Sequence, residues 1–205
     1  MRRLLYVVDP MCSWCYGFAP VLAELEAELA PDVTVGLVMG GLAPDDDEPM
    51  DPATRRYVQR AWREVAARCG VRFDHRFWSR CRPRRSTYPA CRAVLVADGH
   101  GLAREMLQAI QRAYYQEARN PSDSSTLAEL AREIGVDPGA FLAALGSPET
   151  QRRLEVDLAL RRRLGADSFP SLAIEDDRPS RLISRGWIDA GALRAALGAA
   201  GLFEP

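Results

Sequence analysis

Cys12-Ser13-Trp14-Cys15 is the segment of this sequence best equipped for covalent chemistry. Two thiols at this spacing, placed in the first turn of a helix, are near enough to close a disulfide. The unpaired N–H groups and the positive dipole end of such a helix favour a thiolate on the first of them. This gives Cys12 a lowered pKa and an exposed sulfur, and gives Cys15, one turn inward, the less accessible position. The chemistry that follows is exchange through a mixed disulfide, with Cys12 attacking and Cys15 resolving. Half of a zinc site is the rival reading of C-x-x-C, and it needs two more ligands at similar spacing. Cys69, Cys81, Cys91, His75 and His100 form no second C-x-x-C, C-x-x-H or H-x₃-H pair, so no metal is expected.

The motif depends on the elements that hold it. Residues 3–8 are a short apolar run rich in Val and Leu, bounded by Asp9-Pro10, the pattern of a buried strand. Residues 12–29 carry Phe18, Val21, Leu22, Leu25 and Leu29 at helical spacing, with Glu24, Glu26 and Glu28 on other faces. Residues 32–39 predict a second strand, closed by Gly40-Gly41, which completes a βαβ unit. From 45 to about 165 the sequence shows helical periodicity and no convincing strand, with an irregular stretch over residues 78–85. Val58, Ala61, Trp62, Val65 and Cys69 form one stripe, and Leu102, Met106, Ile110 and Tyr114 another. Asp137-Pro138 and Ser147-Pro148 read as caps followed by first-turn prolines. Residues 168–175 and 181–184 predict a hairpin, and 188–200 a closing helix. The expected organisation is an α/β domain of residues 1–44 plus 165–205, interrupted by an all-helical insertion over 45–164.

Composition narrows the class. A chain of 205 residues, 47% hydrophobic, buries roughly 70% of its unfolded surface, enough for a core without disulfide staples. Five cysteines, an odd number, exclude a fully paired scaffold. No run approaches 18 apolar residues, and the N-terminal apolar run is too short for a signal peptide, so a soluble, cytoplasmic protein with no membrane partner is expected. All 27 basic residues are arginines, twelve of them within residues 52–92 against only Glu64 and Asp74. That segment reads in three ways: solvated helix faces paired with acidic stretches such as Asp45-Asp46-Asp47-Glu48, an electropositive wall for acidic peptides or glutathione, or, least favoured, a nucleic-acid surface.

The other cysteines divide. Cys69 reads as core. Cys91, near a helix start, is open between core and a reactive first-turn thiol. Cys81 reads as a loop position with no role, its alternative being a secondary redox thiol, since Arg80, Arg82, Arg84 and Arg85 nearby would favour a thiolate. His75 and His100 have no partner by spacing.

Residues 6–18, Tyr-Val-Val-Asp-Pro-Met-Cys-Ser-Trp-Cys-Tyr-Gly-Phe, resemble the active-site strand and helix of the DsbA-like branch of the thioredoxin superfamily, in particular its cytosolic predicted disulfide isomerases. Pro20 falls where thioredoxin-like helices kink, and residues 165–170, Gly-Ala-Asp-Ser-Phe-Pro, match the loop bearing the family's cis-proline. The resemblance spans the chain and implies a thioredoxin-like fold with a large helical insertion. It implies Cys12 and Cys15 as the catalytic pair, a cis Pro170 facing the Cys12 sulfur, and substrate contacts from Trp14, Phe169 and Pro170. It also implies disulfide-containing protein or peptide substrates, a thiol electron donor, and no tightly bound cofactor beyond the redox-active dithiol, with glutathione as a candidate co-substrate. One departure stands out: the buried acid that such enzymes often place six residues before the first cysteine is Tyr6 here, which is no base near neutral pH. Asp9 is nearer but sits at a strand end, where a turn or capping role is expected.

Two alternatives remain open. The kappa-class glutathione transferases and hydroxychromene-carboxylate isomerases are similar in architecture, but typically have serine where Cys12 stands. A redox-responsive interaction protein would use the disulfide state to switch partner binding.

Overall fold

Leu4, Leu5, Tyr6, Val7 and Val8 are all buried, so both faces of their strand are covered. A near-continuous apolar run is what a central strand requires, and β1 (Arg2–Val8) is central: the sheet order is β2-β1-β3-β4. β2 (Val33–Met39) runs parallel to β1 with Tyr6 opposite Leu37, and β3 (Ser171–Glu175) runs antiparallel with Tyr6 opposite Leu172. β4 (Arg181–Arg185) pairs antiparallel with β3, through a register shift at Leu172/Ala173. α1 (Ser13–Glu26) connects β1 to β2, and α9 (Ala190–Ala199) closes the chain, its first turn capped by Asp189, which accepts from the Ala192 N–H at 2.9 Å. The protein is described by a computed structural model over residues 2–204.

The chain divides into two compact units, Met1–Gly40 with Asp157–Pro205, and Gly41–Val156. Both boundaries fall a few residues before the expected 45 and 164. At the second, α8 (Pro148–Arg163) is shared between the units. The Asp157 carboxylate accepts from the Met39 N–H at 2.8 Å and so ties the second half of α8 to the end of β2.

The second unit is helical: α2 (Pro52–Cys69), α3 (Phe77–Arg80), α4 (Tyr88–Asp98), α5 (Ala103–Gln116), α6 (Ser124–Glu133), α7 (Pro138–Leu145) and the start of α8. α3 falls in a stretch whose sequence reads as irregular, because four residues are too few to show a period. Asp51 accepts from the N–H groups of Ala53 and Thr54, and Gly70 at φ 69° ends α2. Trp62, fully buried, is the hub of this unit, with Phe73, Phe77, Trp78, Tyr114 and Tyr115 at 4.9–5.7 Å between ring centroids.

Several arginines of the 52–92 segment are committed inside this unit. Arg76 pairs with Asp74, Arg84 with Asp123 and Asp47, and Arg92 with Asp45, while Arg55 lies over the Trp78 ring. The acidic stretch at 45–48 supplies two of these partners, which favours the reading of paired helix faces. Among the described residues no helix is long and apolar enough to cross a membrane.

Candidate active site

The turn after β1 builds the site. Asp9 is fully buried, its Oδ1 accepts from the Met11 N–H at 2.8 Å, and its carbonyl accepts from the Cys12 N–H at 3.0 Å. This fixes Cys12 in an extended conformation, φ −83° and ψ 115°, as the N-cap of α1, one residue before the helix rather than inside its first turn. Its carbonyl accepts from the Tyr16 N–H at 3.1 Å and begins the helical ladder. Asp9 thus takes the turn role expected for it.

Cys12 and Cys15 are both free thiols. Cys12 is 7% exposed and Cys15 fully buried. The expected order of access is present, but the exposed sulfur is not: the Cys12 thiol is covered and donates to the Phe169 carbonyl at 3.7 Å. Burial, above all, pushes the Cys15 thiol well above its ordinary value, followed by its hydrogen bond to Cys12 and the charge of Cys12. The Asp9 backbone hydrogen bond to Cys15 works the other way, and the charge of Asp9 adds to the rise. Cys15 is therefore held protonated in the dithiol state, a thiol kept in reserve.

Tyr6 lies beneath the pair. Its hydroxyl donates to the Cys15 carbonyl at 3.4 Å, and burial followed by the Cys15 and Cys12 charges keeps it a neutral phenol. It cannot serve as the carboxylate base of that position, but it offers a hydrogen bond there.

The loop opposite the thiols is anchored from behind. The Phe169-Pro170 peptide bond is cis. The Ser171 hydroxyl, buried, donates to the Ser168 carbonyl at 2.7 Å and accepts from the Gly186 N–H at 3.4 Å. The Phe169 ring packs where a side chain on Gly40 would stand, within 2.8 Å of its Cβ, so the approach requires glycine. Trp14 packs on Trp187, ring centroids 5.6 Å apart. Trp187 and Ser171 follow no motif and were not legible in the sequence; the only local signal is that Trp187 comes just after Gly186, at the end of β4.

The remaining cysteines separate by packing. Cys91 is fully buried, which removes its reactive reading. Cys69 is half-buried rather than core. The Cys81 thiol donates to the Ala118 carbonyl at 3.0 Å, and burial followed by the charge of Asp123 raises its pKa against the opposing Arg80. Desolvation thus outweighs the arginine neighbours that would favour a thiolate. Among the described residues no cluster of three or more His, Cys, Asp or Glu side chains is placed to hold a metal.

A family model of DSBA-like thioredoxin domains matches residues 3–197. A candidate protein disulfide isomerase from Nitrosomonas europaea superposes with a TM-score of 0.84 at 29% identity, covering 97% of this chain and 96% of that one. The cytosolic disulfide reductase DsbM from Pseudomonas aeruginosa, known also in a structure with GSH, superposes at 0.77 with 29% identity over 97% and 98% of the two chains. The ClpXP adapter protein SpxH of Bacillus subtilis is 23% identical over 168 residues, 80% of this chain. The chain spans about half the length of the curated relatives it matches, 55% in that case.

Proposed function

Because the chain belongs to the DSBA-like thioredoxin domain family, we propose that it is a thiol-disulfide oxidoreductase of reductase or isomerase type, with Cys12 as nucleophile and Cys15 as resolving thiol. The carrying observation is Cys12 at the N-cap position of α1, its thiol in contact with Cys15 and 3.7 Å from the Phe169 carbonyl. In the first step the Cys12 thiolate attacks a substrate disulfide. A Cys12–substrate bond forms, the substrate S–S bond breaks, and the departing sulfur takes a proton. In the second step Cys15 loses its proton and attacks the Cys12 sulfur, which releases the second substrate thiol and leaves the Cys12–Cys15 disulfide. A raised Cys15 pKa suits this order, since a protonated thiol does not compete for the substrate. The Asp9 backbone hydrogen bond is placed to stabilise the Cys15 sulfur as its proton leaves, while Tyr6 holds the Cys15 carbonyl.

Trp14, Phe169 and Pro170 frame the substrate in this reading. A thiol donor restores the dithiol, and the DsbM structure with GSH favours glutathione for that role. The likeness to a cytosolic reductase favours a cytoplasmic setting and net reduction. The test is dithiol-dependent insulin reduction: Cys12→Ser abolishes it, and retention of activity by that variant contradicts the assignment. The likeness to adapter proteins supports a second reading, a partner-binding protein switched by the disulfide. Partner capture that differs between oxidised and reduced chain supports it, and equal capture dismisses it. The glutathione-transferase reading has two thiols against it, and needs tight glutathione binding with no change of the Cys12/Cys15 redox state during turnover.

A further inference from the structure

The unit that carries the thiols treats its arginines in two ways. Arg2, Arg3, Arg178, Arg181, Arg185 and Arg194 each reach a carboxylate, at 2.5–3.6 Å. Arg161, Arg162 and Arg163, in the last turn of α8, have no carboxylate partner among the described residues. Arg162 donates to the Leu158 carbonyl at 3.0 Å, and Arg163 is exposed to water. Arg161 is different. It is half-buried, its Cζ lies 5.3 Å from the centroid of the Phe169 ring, and its buried Nε has no hydrogen-bond partner. A buried guanidinium N–H with no acceptor is unfavourable unless a partner arrives.

The ring under Arg161 belongs to the residue whose carbonyl touches the Cys12 thiol, and it rests on Gly40, directly after β2. The guanidinium therefore stands at the C-terminal edge of the parallel pair β1/β2, the edge from which Cys12 also projects and where ligands enter open α/β sheets. Favourable interaction with the dipole of α8 accounts for a cation in this turn, but Arg162 and Arg163 supply that without burial. Covering an aromatic face accounts for the stem but needs no charge. What neither accounts for is a guanidinium set over a ring with its buried Nε–H left without an acceptor, an arrangement whose planar fork suits a carboxylate in two parallel hydrogen bonds.

We propose that Arg161 is a carboxylate-binding residue of the thiol site, holding a carboxylate carried by the disulfide that exchanges with Cys12. This rests on the oxidoreductase reading and adds a substrate class to it: disulfides with an acidic group near the sulfur. Two sources share that chemistry, a small acidic disulfide such as glutathione disulfide and an acidic residue beside a cysteine of a peptide.

The experiment measures the second-order rate at which the reduced protein exchanges with four disulfides. Glutathione disulfide is compared with cystamine, which has no carboxylate, and a peptide disulfide with Glu beside its cysteine is compared with the same peptide carrying Gln. Arg161→Gln is expected to slow glutathione disulfide, the Glu peptide or both by about tenfold, and to leave cystamine and the Gln peptide within about twofold. The acidic substrate that responds identifies the source. Arg161→Lys, which keeps the charge but not the fork, recovers part of the loss. Equal slowing of the acidic substrates and their carboxylate-free counterparts overturns the proposal, since Arg161 then only shapes the Phe169 loop, and no slowing of either overturns it too. Wild-type protein that exchanges with none of the four removes the oxidoreductase reading along with it.

Discussion

Cys12 caps α1, and Cys91 sits in the first turn of α4, four residues after its cap Thr87. Each is close to a helix N-terminus and meets the same dipole, yet they are different thiols. The Cys91 N–H donates to the Thr87 carbonyl, so Cys91 is already inside the helical ladder, fully buried beside Ala90, Val94 and Leu95. The Cys12 N–H donates instead to Asp9, outside the helix, and its sulfur meets a second thiol and the Phe169 carbonyl. Nearness to a helix start therefore does not make a nucleophile. The thiol must lie at the cap itself and face a polar loop, not a packed stripe.

The largest expected effect tests that contrast directly. Cys12→Ser abolishes insulin reduction, whereas Cys91→Ser leaves it within about twofold. A large loss from Cys91→Ser without unfolding would break the comparison. Next in size is the packed side of the molecule. Trp62→Ala removes the hub of the aromatic cluster and is expected to cost about 3–5 kcal/mol in denaturant unfolding. Cys91→Ser places a hydroxyl in an apolar interior and is expected to cost about 1–3 kcal/mol by the same measurement.

A smaller effect concerns pH. The folded pKa values of Cys15 and Tyr6 lie well above their ordinary 9.0 and 10.0, so the folded state holds these protons longer than the unfolded chain. Their stability is fully present below those ordinary values and is lost as pH rises through the folded ones. The reduced protein is expected to lose about 1.4 kcal/mol per pH unit for each group above its onset. The Cys12–Cys15 disulfide form lacks the onset near 9, and Tyr6→Phe lacks the one near 10. Identical alkaline stability curves for reduced and oxidised protein contradict the burial of a protonated Cys15. Smallest is Cys81, whose raised pKa and hydrogen bond to Ala118 predict alkylation at neutral pH slower than that of a free cysteine in an unfolded peptide.

The sequence carried the parts of this molecule that depend on local pattern. The run at residues 3–8, the C-x-x-C after it and the capped prolines at 138 and 148 each follow from spacing or composition within a few residues, and the Phe169-Pro170 loop from a family resemblance over six residues. What it did not carry depends on contacts between distant segments. Trp187 is recognisable as a neighbour of Trp14 only once β4 returns to the sheet. The Asp157–Met39 hydrogen bond, which splits α8 between the units, joins residues 118 positions apart. The arginines around Cys81 would favour a thiolate, but sequence proximity shows charge and not desolvation. Tyr6 shows the same limit in reverse: the residue type rules out a base, while only the fold shows a hydroxyl set against the Cys15 turn.

The central claim, attack by Cys12 and resolution by Cys15, is most directly tested by trapping. Cys15→Ser protein exposed to a disulfide substrate is digested and the attached groups located by mass spectrometry. The account predicts a stable mixed disulfide on Cys12, absent from the wild type because Cys15 resolves it. Adducts at Cys81 or Cys69 with Cys12 unmodified, or release from Cys12 at the wild-type rate, would contradict it.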